Sequence, residues 1–191
     1  FEVVLYQAGY LTIDKMIIDE DLEEITYKLK LPNMEVKKSL NDSIISALTK
    51  NNNPNQHKLP VIKALKRANL EDLKVAIVSI FASIANDNYR KNDIYHYEGF
   101  YGSVLYTYFQ ALGCDVIGED VTNHGRIDLT IKINNLIYIV EFKMGDDDAM
   151  AQIKEKNYAD KYLSLKQDIY LVGINFDEKK KNVSRFEWEK V

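Results

Sequence analysis

The sequence predicts an α/β (α+β) chain. From residue 93 its elements run α-β-β-β-α-β with one extra strand, after a smaller, mostly helical segment. Three observations carry this. Leu73, Ile77, Ile80 and Ile84 recur at helical spacing, and further helical stretches follow up to Leu112. From Cys114 the texture changes to strands. Between two alternating runs stands Asn134-Asn135, a residue pair suited to a two-residue hairpin turn.

Taken in order, residues 1–31 read as extended, and Glu24 to Leu31 alternates as a half-buried strand. Pro32-Asn33 ends it, with Asn33 placed to cap a helix marked by Val36, Leu40, Ile44 and Leu48. The stretch from Asn51 to Gln56 reads as a linker, so the expected division is 1–50, a linker over 51–59, and 60–191. A helical stretch starts near Pro60 and breaks at Asn86-Asp87-Asn88. Another helix covers about Asp93 to Leu112, with Gly113 as its C-cap. Strands are expected over 114–121, 126–133 and 136–143, then a helix over about 147–163, and strands over Asp168–Ile174 and Val183–Trp188.

Composition narrows the function classes. The chain has 191 residues, nearly half of them apolar, so a packed core is within reach. No apolar run approaches a bilayer span and no leader-like segment opens the chain. The single cysteine, Cys114, excludes an intrachain disulfide. A cytoplasmic location is the natural expectation, with no membrane partner. Phe1 in place of Met suggests a piece of something longer. The net charge of −4 disfavours a protein that grips long DNA through phosphate contacts alone.

The chemistry lies in the hairpin. A two-residue turn at Asn134-Asn135 pairs Ile133 with Leu136, and counting back brings Asp128 opposite Glu141. Directly opposed side chains share a face, with Cβ atoms about 4.5–5.5 Å apart. The hydrophobic pattern agrees: Ile127, Leu129, Ile131 and Ile133 fall on one face with Leu136, Tyr138, Val140 and Phe142, leaving Asp128, Glu141 and Lys143 on the other. Two carboxylates held so close repel, and a cation, a raised pKa or Lys143 should relieve them. A hard divalent cation such as Mg²⁺ accepts one or two carboxylates plus a phosphate. A surface salt bridge is the plain alternative.

Gly125-Arg126-Ile127-Asp128-Leu129 followed by Tyr138-Ile139-Val140-Glu141-Phe142-Lys143 resembles the core of the PD-(D/E)xK nuclease superfamily. More closely it resembles the branch that follows a predicted AAA-ATPase-like domain in bacterial proteins of unknown function. There a G-R-x-D strand precedes an E-F-K strand and a helix reading Q-I-K-x-K-x-Y, here Gln152 to Tyr158. Tyr170 to Phe176 fits the same pattern, and the likeness spans about 93–191. Ile127 stands where the superfamily's name has Pro. The segments Gln7–Thr12 and Leu31–Val36 resemble the tail of the preceding ATPase-like region, although no phosphate-binding G-x-x-x-x-G-K-[ST] occurs.

The resemblance implies a restriction-endonuclease-like fold with a mixed central sheet flanked by helices. It implies a divalent-metal-dependent nuclease using Mg²⁺ or Mn²⁺, with Asp128, Glu141, Lys143 and Gln152 catalytic. Asp128 and Glu141 would hold metal together with Glu98 on the preceding helix. Arg126, Lys154 and Lys156 are candidates for nucleic-acid contact. Expected partners are nucleic acid, DNA first, and the rest of an ATPase-like chain; a homodimer is a further expectation. Two other readings stand beside this one: a catalytically silent binding or regulatory module, and an RNA-directed hydrolase. Asp146-Asp147-Asp148 reads as helix capping rather than a metal motif, and Gly102 as a point where helix and sheet approach closely.

Overall fold

The computed structural model describes residues 2–19, 24–50, 55–85 and 96–191. The elements are α1 (Glu2–Gln7), β1 (Thr12–Asp19), β2 (Glu24–Lys30), α2 (Met34–Thr49), α3 (Asn55–Arg67), α4 (Leu70–Ser83), α5 (Glu98–Ala111), β3 (Asp115–Thr122), β4 (Gly125–Ile133), β5 (Leu136–Met144), α6 (Ala149–Glu155), two short 3₁₀ turns (Tyr158–Lys161 and Leu163–Leu165), β6 (Asp168–Asp177) and β7 (Asn182–Lys190).

The main sheet has five strands in the order β3-β4-β5-β6-β7. β3, β4 and β5 form an antiparallel meander, β6 runs parallel to β5 after α6 crosses over, and β7 returns antiparallel. The sheet is therefore mixed and helix-flanked, as expected. Because side chains alternate across it, each face needs its own cover. One face carries Leu129, Ile131, Tyr138, Val140, Phe142, Val172 and Ile174 and packs against α3, α4 and α5 in the larger core. There Tyr101 stacks on Phe176 at 4.1 Å between ring centroids. The Tyr138 phenol donates to the Leu65 carbonyl at the end of α3. The opposite face carries Ile137, Ile139, Ile169 and Leu171 beneath Met150, Ile153, Tyr158 and Tyr162.

Two caps agree with the sequence reading. Asn33 accepts from Val36 N at 2.9 Å, and Asp148 accepts from Ala151 N at 2.8 Å. Gly113, with φ +77°, ends α5 as expected. α2 places Ile45 in the larger core, so this helix is built into the same interior as α3, α4 and α5.

Several expectations need correction. Residues 2–7 are helical rather than extended. The strand Glu24–Lys30 is present, but Ile25 and Tyr27 are about half exposed; among the described residues its sheet partner is β1 alone. Asn55 and Gln56 open α3 instead of belonging to a linker, Pro60 lies inside that helix, and Asn51–Pro54 lie outside the described residues. The helical stretch is split at Ala68, whose φ is +50°, with Asn69 capping α4. The Asn86–Asn88 break and the start at Asp93 also lie outside the described residues. The helix expected over 147–163 is cut at Asn157, in the left-handed region, and continues only as 3₁₀ turns.

Among the glycines, Gly173 on β6 leaves the least room for a side chain. A Cβ there would sit 2.8 Å from the Met150 backbone nitrogen, so the missing side chain is what lets α6 lie on the sheet. We expect Gly173→Ala to lower stability by about 1–3 kcal/mol in urea denaturation, since backbone must shift to admit the methyl.

Candidate active site

Strand β5 runs on to Met144 and stays paired with β6 throughout, with Glu141 beside Gly173 and Lys143 beside Asn175. Its pairing with β4 keeps the register set by Asn134-Asn135, from Ile133–Leu136 to Leu129–Val140, and stops there. Asp128 and Glu141 are thus the first step beyond the ladder rather than a rung of it. In place of a backbone bond, the Asp128 carboxylate accepts the Phe142 N–H at 2.8 Å.

The departure of β4 has a local cause. Across from it, Glu119 on β3 has φ +53°, a left-handed conformation costly for a residue with a Cβ. The β3–β4 ladder pairs Gly118 with Leu129 and Asp120 with Ile127 but skips the step between. The turned backbone carries Ile127 into the second core, against Met150, Ile153 and Tyr158. This corrects the expectation that Ile127 shares a face with Leu129 and Ile131. The Tyr158 hydroxyl donates to the Arg126 carbonyl at 2.8 Å and fixes the bend.

At the opening between the strands the charges converge. Glu141 is 1% exposed. Its Oε1 accepts from Lys143 Nζ at 3.2 Å and from Gln152 Nε2 on α6. Its Oε2 is buried with no hydrogen-bond partner. Burial, then repulsion from Asp128, pushes the Glu141 carboxyl up to about 7. Burial likewise raises Asp128, against the opposing effects of the Phe142 N–H and Lys143. Burial alone would depress Lys143, but Glu141 and Glu98 outweigh it and hold the ammonium above its usual range. Asn175 Nδ2 donates to the Gly145 and Asp147 carbonyls, tying the loop that leads from Lys143 into α6.

The residues expected at the site are therefore brought together in part. Asp128, Glu141, Lys143 and Gln152 meet. Glu98, at the start of α5, lies 3.7 Å from Lys143 Nζ and is half exposed. Continuing the hairpin count past Asp128 would place Arg126 opposite Lys143; instead it pairs with Val121 on β3, and its guanidinium meets Glu119 at 3.2 Å. Lys154 is on the surface, paired with Glu189. Lys156 caps the end of α6. His124 is exposed in the β3–β4 turn. Sequence reading missed the polar cluster on the second face. There Asp120 accepts from Thr130, Lys161 and Tyr162. Nothing in the local spacing of these residues announces it.

A divalent cation fits the donors present. An unpartnered buried carboxylate oxygen is costly unless a proton or cation meets it, and Glu141 Oε2 beside Asp128 is such an atom. Among the described residues no three acidic, imidazole or thiol side chains form a ready-made cage.

With this geometry in place, comparison with known proteins narrows the class. Residues 96–186 match the PD-(D/E)XK nuclease superfamily. That stretch contains α5, the whole sheet up to Phe186, and α6, and the mixed helix-flanked sheet is consistent with the superfamily's restriction-endonuclease-like fold. The chain is also 38% identical over 190 residues to an uncharacterized protein in the vnfD 5' region of Azotobacter chroococcum mcd 1. This alignment covers 97% of the chain but 36% of that relative's length. No solved structure matches the chain. The match over residues 96–186 is thus a likeness to a nuclease superfamily across just under half of the chain.

The raised Glu141 carboxyl has a thermodynamic signature. Between the unfolded value, near 4.5, and the folded value, about 7, the folded state holds a proton that the unfolded chain has lost. Stability without metal should therefore fall as pH rises through that window, at up to about 1.4 kcal/mol per pH unit. Thermal melts in chelator from pH 5 to 8 check this, and Glu141→Gln should flatten the dependence.

Proposed function

We propose that this chain is a divalent-metal-dependent nuclease that hydrolyses phosphodiester bonds in DNA. The single observation that carries the proposal is the buried, half-partnered Glu141 beside Asp128 and Lys143, within the stretch that matches a nuclease superfamily.

In this reading Asp128 and Glu141 hold Mg²⁺ or Mn²⁺, with Glu98 joining through a half-exposed carboxylate. A cation bound there supplies Lewis-acid polarisation of the phosphoryl group and offsets its charge. Lys143 keeps its proton at Nζ, and its positive charge faces the developing charge on the phosphate. Gln152 fixes the orientation of Glu141 through Oε1, leaving Oε2 for the ion. Arg126, Lys154 and Lys156 would meet backbone phosphate only by exchanging acidic partners, where they have them, for the ligand.

A second reading has its own support. With a net charge of −4, and with Arg126 and Lys154 already ion-paired, the domain suits a binding or regulatory module of a longer protein. The 36% coverage of its relative agrees with that setting. Residues 1–50 would then be the tail of an ATPase-like region, as their motifs suggest.

A cleavage screen over DNA and RNA in Mg²⁺ and Mn²⁺ separates the two readings. We expect DNA cutting by the wild type, and loss of at least about a hundredfold in rate for both Asp128→Ala and Lys143→Ala. Identical traces for wild type and variants over all substrates would remove the enzyme reading. Absence of divalent-ion binding by calorimetry would favour the regulatory one.

A further inference from the structure

Beside the carboxylates, between α5 and the bend of β3 and β4, lies a cleft of about 330 Å³. Its floor is apolar, made of the buried side chains Leu129 and Phe142. Three glycines line it, Gly99 and Gly102 on α5 and Gly118 on β3, the last in ordinary contact range of the Tyr106 ring. Tyr106 stands at its side, 39% exposed. The volume lies in the range of small-molecule sites rather than of a phosphate-sized notch.

The polar groups of this cleft are unusual for a protein that handles a polyanion. Among the described residues lining it, the charged ones are Glu98, Glu119 and Asp128, and none is basic. Ser103 and Thr107 add hydroxyls, but each donates its proton within the helix, Ser103 to the Gly99 carbonyl at 2.7 Å and Thr107 to the Ser103 carbonyl at 2.8 Å. With those protons engaged, the two oxygens are left as acceptors. Glu119 is already paired with Arg126, and Glu98 and Asp128 are the carboxylates assigned to the cation, so beyond the ion the lining offers a phosphate no basic side chain. A flat, neutral group that carries N–H donors would find an apolar floor, an aromatic side and matching acceptors.

We propose that this cleft receives an unpaired nucleobase next to the scissile phosphate, so that the favoured substrate is single-stranded or locally unpaired DNA. The inference rests on the nuclease reading above and specifies its substrate. A base inside a duplex cannot reach a cleft walled by α5 without leaving the stack, which is costly in a paired duplex and cheap in a single strand. Stacking on a tyrosine supplies affinity that does not depend on phosphate contacts, which accords with the acidic charge of the chain. The Ser103 and Thr107 oxygens, whose protons are engaged within the helix, favour bases with an exocyclic amine (cytosine, adenine and guanine) over thymine, which has none.

The test compares initial cleavage rates in Mn²⁺ on labelled single strands of dC, dA and dT and on a matched duplex. Binding of the same strands is followed by fluorescence anisotropy in Ca²⁺. Wild type, Tyr106→Ala and Ser103→Leu are measured side by side; both positions are exposed, and melting curves verify the fold of each variant. The expected result is single-strand cutting roughly tenfold or more faster than duplex cutting, with dC and dA ahead of dT. Each variant should lose most of that advantage and bind single strands several-fold more weakly. Equal rates on single strand and duplex, or an advantage unchanged in both folded variants, would overturn the base cleft while leaving the nuclease reading intact. Cutting of no substrate by the wild type would overturn both.

Discussion

A carboxylate cannot sit 1% exposed in a protein without a donor, a proton or a cation to meet it, and the arrangement of this domain depends on how Glu141 is met. Its strand is held on one side by β6 along its whole length. On the other side β4 turns away, and the room so made admits Asp128. Lys143, two residues along β5, reaches the same oxygen as Gln152 does from α6. Gln152 arrives only because Gly173 has no side chain under Met150. Strand departure, helix approach and charge balance are one constraint seen from three elements.

The hairpin register was legible in the sequence because a two-residue Asn-Asn turn and strict alternation gave the same answer from Ile133–Leu136 to Leu129–Val140. One residue further the pattern fails. Alternation assumes an unbroken pleat, and the left-handed conformation of Glu119 leaves no mark in a pattern of apolar and polar letters. The acids meet nonetheless, through a side-chain-to-backbone bond that alternation does not contain. Arg126 was misplaced for the same reason: it was carried along a ladder that had already ended.

The rest of the fold divides along similar lines. Caps with a chemical signature, Asn33 and Asp148, were readable from single residues. The half-burial expected of β2 was not, because alternation shows only that a strand has an apolar face; whether anything covers it depends on elements far away. The acceptor-rich cleft and the Asp120 cluster are assembled from separated elements, and only the folded chain brings them together.

Phe142 gives the site its dimensions. Its N–H holds Asp128 at 2.8 Å, its ring meets Gly102 of α5 so closely that a Cβ there would lie 3.2 Å away, and Phe176 lies 6.1 Å from it between centroids. The thickness of one aromatic ring thus sets the spacing between the helix that carries Glu98 and the strand that carries Glu141 and Lys143. In engineering terms the ring is a shim: exchanging it for a thinner or bulkier side chain would regauge the depth of the cleft and the separation of its acids in a single step, without touching any charged group.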